Sequence, residues 1–134
     1  MLDHHTALIY TMVLVSAADG AMSDAELRSI GEVVNYLPIF RDYDADTLPT
    51  VAGDCAEILD DDEGLDKALQ VIEGLLPGKL HETAYAIACD VAAADGSVKP
   101  EEARLLAILR DRLKIDRLAG AAIERGARAR HAVL

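Results

Sequence analysis

Asp19 and Glu26, and again Asp95 and Glu102, are the residues of this chain whose types and spacing point to chemistry. They sit in two copies of one phrase. The first reads Ala17-Ala18-Asp19-Gly20-Ala21-Met22-Ser23-Asp24-Ala25-Glu26, and the second Ala93-Ala94-Asp95-Gly96-Ser97-Val98-Lys99-Pro100-Glu101-Glu102. Each copy offers an Asp at a Gly turn and a Glu seven positions on, at the head of the next helix. Two such units set side by side gather four carboxylates, so a divalent cation is the first ligand to consider. The residues do not select which metal.

The spacing from Asp-Gly to Glu matches the second half of an EF-hand loop. The first half is missing: Val15 and Ala17, and Val91 and Ala93, stand where the first acidic ligands belong. A cation site therefore needs both copies, with carbonyl and water oxygens completing it. A second reading stays open, in which Asp-Gly only ends a helix and turns the chain. Glu26 then closes a capping box with Ser23. The second copy fits this less well, because Lys99 replaces Ser23 and has no acceptor to offer, yet Glu102 persists.

The elements that must position these residues are helices. No segment alternates as a half-buried strand does. A first helix is expected from about His4 to Ala18, and a second from about Asp24 to Tyr36, stopped by Leu37-Pro38. A connection through Asp42, Asp44 and Asp46 follows, with room for one helical turn. Leu48, Val51, Cys55 and Ile58 or Leu59 form a third apolar stripe. Asp60-Asp61-Asp62-Glu63 reads as an acidic helix start, and Leu65, Leu69, Ile72 and Leu76 form a fourth stripe, ended by Pro77-Gly78. The phrase then repeats: Lys79 to Ala94 is an Ala-rich helix, Pro100 suits a first helical position, and that helix runs to about Leu113. A last helix begins near Asp116. The expectation is an all-α single domain over 1–134, of seven to eight helices. Its internal repeat halves are about 4–37 and 79–113, with the two Asp-Gly hairpins together.

Composition narrows the function classes. Apolar residues make up 51% and aromatics 4%, with no Trp. The core must be aliphatic, and little is available to stack on bases. Residues 1–103 carry 21 acidic and 5 basic residues, and residues 104–134 carry 8 basic and 3 acidic ones. The acidic body argues against nucleic acid. The basic tail is either a set of solvated helix faces or a docking patch for an acidic partner. Cys55 and Cys89 have no metal-site or redox spacing and read as buried free thiols. Asp90 reads as solvent-facing, the alternative being a place in the same pocket as Asp95; His4-His5 reads as a solvated N-terminus rather than a metal pair, and His81 and His131 as solvent-facing. No P-loop, Rossmann glycine pattern, HExxH or nucleophile motif is present, so no enzyme is expected. The N-terminus lacks a basic signal region, and the apolar run Ala7–Ala18 is too short to span a bilayer. A cytoplasmic protein is expected, not an integral membrane one.

The duplicated pattern, A-A-D-G-x-(M or V)-x-x-x-E after an apolar stretch, resembles the tellurite-resistance TerB family. It is also similar to the N-terminal domain of the membrane-anchored DnaJ-like co-chaperone DjlA. The resemblance spans nearly the whole chain. It implies an all-α, non-enzymatic module of roughly seven helices whose acidic residues hold a metal; here these would be Asp19, Glu26, Asp95 and Glu102. It also implies protein partners in a stress-response complex at the inner membrane, with this chain peripheral to it. The chain has neither the HPD tripeptide nor the membrane anchor of the co-chaperone. The competing expectation is a metal-free helical scaffold that docks through its basic C-terminal helix.

Overall fold

The computed structural model describes residues 2–18, 20 and 22–134. Asp19, one of the four candidate ligands, lies outside the described residues. Among the described residues seven α-helices follow one another: α1 His4–Ser16, α2 Asp24–Tyr36, α3 Leu48–Leu59, α4 Gly64–Leu75, α5 His81–Ala92, α6 Pro100–Arg112 and α7 Arg117–Arg130. Short 3₁₀ turns at Pro38–Phe40, Ala45–Thr47 and Gly78–Leu80 join some of them. No strand occurs among the described residues, as the absence of alternation predicts. No described helix is long and apolar enough to cross a membrane.

α1 is the axis of the fold. Every residue from His5 to Ser16 is buried, as a helix that is apolar all round must be. α3, α4 and α5 pack around it, and α2 and α6 touch it as well. Its two interior hydroxyls turn back onto its own carbonyls: Thr11 Oγ1 donates to Ala7 O (2.8 Å) and Ser16 Oγ to Met12 O (2.9 Å). That local bond lets a polar residue be buried without an unmet donor. Asp3 starts the helix by accepting from the His5 and Thr6 N–H groups. α5 is the second axis, packed on α1, α2, α6 and α7. The helix pairs α1–α2 and α5–α6, one from each copy of the repeat, are thereby set against each other.

The turn between α3 and α4 is tighter than its acidic run suggests. Asp60 caps the end of α3, Glu63 adopts a left-handed conformation (φ 59°), and Gly64 begins α4. No side chain of the run caps α4. The acidic residues therefore serve as a solvated turn as much as a dipole partner.

Three of the four histidines meet distant partners that a solvent-facing reading does not provide. His5 is buried, with Nε2 2.8 Å from Ile39 O, and its ring stacks on Phe40. His81 Nδ1 meets Leu113 O at 2.9 Å, and His131 lies 3.3 Å from Asp90. Asp90 is likewise no free surface acid: it accepts from Arg130 at 2.7 Å and fixes the end of α7 to α5. The partners lie 32 to 40 residues away in sequence, beyond the reach of local pattern. The cysteines behave as expected. Both are buried, free and pushed up to about 12 by burial, so neither carries a reactive thiolate.

Candidate metal centre

The two loops of the repeat have one backbone geometry. α1 ends at Ala17 (φ −90°, ψ 1°) and α5 at Ala93 (φ −90°, ψ 0°). Three residues on, Gly20 (φ 84°) and Gly96 (φ 94°) take the left-handed turn, which a residue with a Cβ enters only at a cost. Gly20 N donates to Ala17 O and Gly96 N to Ala93 O, both at 3.0 Å. The chain then extends at Ser23 (φ −75°, ψ 160°) and at Lys99 (φ −74°, ψ 154°) before re-entering a helix. The repeat is thus structural and not only textual.

Glu26 and Glu102 are both the third residue of their helix, and each reaches back to its cap. Glu26 Oε1 accepts from Ser23 N at 2.8 Å, and Glu102 Oε1 from Lys99 N at 3.1 Å. In the first copy Ser23 Oγ returns the bond, accepting from Glu26 N at 3.0 Å. In the second that half is missing, as expected of a lysine. This reconciles the two readings of the phrase, since the glutamates do cap their helices, but with one oxygen each.

Their second oxygens carry the chemistry. Each glutamate is 1% exposed, and Oε2 of both is buried without a hydrogen-bond partner. The two carboxyls stand close enough to act on each other. Burial first, then the neighbouring Glu26 carboxyl, pushes Glu102 up to about 8; the Lys99 N–H opposes this, and the charge of Asp95 adds to it. Two ionised carboxylates offer each other only lone pairs. A proton on one of them supplies the missing donor, and a cation between them would satisfy both. Either is an answer to two orphaned buried oxygens, which are costly where water is excluded.

Of the predicted ligands, Glu26 and Glu102 are therefore brought together from opposite ends of the chain. Asp95 is exposed on its loop, its Oδ1 3.4 Å from Ser97 N, and acts on the pair through its charge. Asp19 lies outside the described residues. No three His, Cys, Asp or Glu side chains form a closed cage among the described residues. Burial of the glutamates was not legible locally, since acids in a first helical turn ordinarily face water; only the duplication hinted that each covers the other.

The chain matches the family of tellurite resistance protein TerB over residues 5–125. It belongs to the TerB family. No curated protein and no solved structure matches it. The match takes in α1 through most of α7 and both loops, so the pseudo-symmetric carboxyl pair lies within a TerB module.

The basic tail has been partly neutralised by the fold. Arg112 grips Glu73 with two bonds (2.7 and 3.0 Å) and Asp66 with a third (3.1 Å), tying α6 to α4. Arg110 binds Glu124 at 2.6 Å, and Tyr85 OH donates to the same oxygen at 2.5 Å. With Arg130 on Asp90, three of the tail's cations serve to hold its helices in place.

Proposed function

We propose that this TerB module binds a divalent cation between Glu26 and Glu102. Asp95, and Asp19 from the facing copy, would supply further negative charge. The supporting observation is the pair of buried, unpartnered Oε2 atoms, one from each half of the repeat. A divalent ion would neutralise two carboxylates that otherwise share a proton. It would also join the two loops without disturbing the Oε1 capping bonds. The reading is of a binding module, not a catalyst, and both capping bonds support that: the glutamates are anchored and enclosed. The wider role that fits the family is a cytoplasmic one, in which cation occupancy is passed to a protein partner during metal or oxidative stress.

Proton linkage provides the test. Below about pH 8 Glu102 holds a proton that a cation must displace. Titration calorimetry of chelator-treated protein with calcium, magnesium, manganese and zinc at pH 7 is expected to show binding of at least one. That binding should release close to one proton, read from the dependence of heat on the buffer's ionisation enthalpy. Glu102→Gln should abolish it. Absence of heat with all four metals, or binding unaltered in Glu102→Gln, would leave the pair as a proton-sharing structural contact.

A further inference from the structure

A groove of about 740 Å³ opens between the end of α1, the α3–α4 turn and α6. Its floor is aliphatic: Leu14, Met22, Leu59, Leu65, Leu105 and Ile108. Leu65 is 40% exposed at its edge, and α3 presents the exposed Ala56 to it. None of the described residues fills it. Among the described residues its charged lining groups are all exposed, Asp60 on the α3–α4 side and Glu101 and Arg104 on α6. From Asp60 the exposed run Asp61, Asp62 and Glu63 continues along the turn. Asp61 lies 3.8 Å from Lys67, while Asp60, Asp62 and Glu63 take part in no ion pair among the described residues. The exposed acidic turn therefore begins at the groove's edge with Asp60, and among the described residues Arg104 is the one cation lining the groove.

We propose that this groove is a docking site for an amphipathic helix of a partner protein, one that carries Lys or Arg beside an aliphatic face. A helix lying in a groove uses apolar anchors at i, i+3, i+4 and i+7, and a floor of leucine, isoleucine and methionine suits such anchors. Small-molecule sites place a few polar groups deep among apolar walls; here the charged groups are exposed, where they meet the polar flank of a helix. Opposite charge there selects the partner and speeds encounter, and like charge rejects others. The acidic turn therefore fits a basic flank and opposes an acidic one. The proposal specifies the partner in the functional reading above and does not depend on the cation.

The experiment uses fluorescence anisotropy with the full chain in chelator, so that failure of the cation site cannot be mistaken for failure of the groove. The probes are an 18-residue leucine–lysine amphipathic peptide, a scrambled peptide of the same composition and a leucine–glutamate analogue. The first should bind, and the other two at least tenfold more weakly. Leu65→Ser removes an exposed anchor contact and should weaken binding about tenfold, with melting checked to confirm the fold. Asp60→Lys with Asp62→Lys should weaken it several-fold and flatten its salt dependence. Arg104→Glu should tighten it. Equal binding of the scrambled peptide, preference for the glutamate peptide, or indifference to the Leu65 and Asp60/Asp62 changes would overturn the proposal. So would loss of binding in Arg104→Glu, the behaviour of an anion site, or concentration-dependent self-association abolished by Leu65→Ser, which would make the occupant a second copy.

Discussion

Glu102→Gln is expected to melt several degrees above the wild type at pH 9, with the gap closing as the pH falls toward 5. In the folded protein Glu102 is pushed up to about 8 from an ordinary 4.5. A group whose pKa is raised by folding contributes stability that is complete below the unfolded value. That contribution declines through the window from about 4.5 to 8 and is gone above it. At pH 9 the wild type encloses an ionised carboxylate against Glu26. Glutamine removes that charge, keeps an oxygen for the Lys99 N–H, and brings an N–H₂ group able to donate to Glu26. The gain should be about 1–3 kcal/mol, the scale of relieving an unsatisfied buried polar group. Glu102→Ala separates the two roles of the residue. It loses the capping acceptor, typically worth about 1 kcal/mol, and leaves a void, so it should fall below Glu102→Gln at every pH. Cation should raise the wild-type melting temperature and leave Glu102→Gln unmoved, because stabilisation by mass action requires the intact site. Thermal melts from pH 5 to 9, with chelator and with metal, provide the comparison. Parallel curves for wild type and Glu102→Gln would mean that Glu102 does not titrate in this window.

That site shows where sequence reasoning stops. Helix boundaries were legible because they depend on neighbours: Ser23 and Glu26 form their box within four residues, Pro100 opens α6, and Gly20 and Gly96 turn the chain. The central place of α1 follows from its long apolar run, whose Thr11 and Ser16 hydroxyls bond back to the helix itself. The duplicated phrase announced that the two acid pairs belonged together. It did not announce that the glutamates would be enclosed, because enclosure is produced by packing one half of the repeat on the other. Arg112, Arg130 and His5 have the same lesson. Each read from the sequence as a solvated residue, and each has a partner 34 to 46 residues away. The groove was invisible for the same reason: its lining comes from α1, α3, α4 and α6, and no one stretch of sequence contains it.

Gly64→Ala should be among the most damaging single-methyl additions to this chain, and Gly53→Ala a helpful one. Both glycines lie in helices next to the α3–α4 turn. A Cβ on Gly64 would run into the carbonyl oxygen of Ile58 and lie 2.8 Å from Leu59 Cα. The obstacle is backbone, which cannot swing aside as a side chain can. Glu63 before it is already held in the left-handed region at φ 59°, so the turn has little freedom left to absorb the methyl. Overpacking of this kind costs about 3 kcal/mol, or roughly 10 °C of melting temperature for a chain of this size. A Cβ on Gly53 meets nothing within 4 Å, so alanine there should add about 0.5–1 kcal/mol through helix propensity and a less flexible unfolded chain. Opposite signs for the same chemical change, measured in one set of denaturation curves, isolate the close approach of α4 to the end of α3. Gly64→Ala should also widen the separation of Leu59 and Asp60 from Leu65. Peptide binding in the groove should then fall even at temperatures where the variant remains folded. A neutral Gly64→Ala would mean that the turn yields, and that the acidic edge of the groove is not fixed by it.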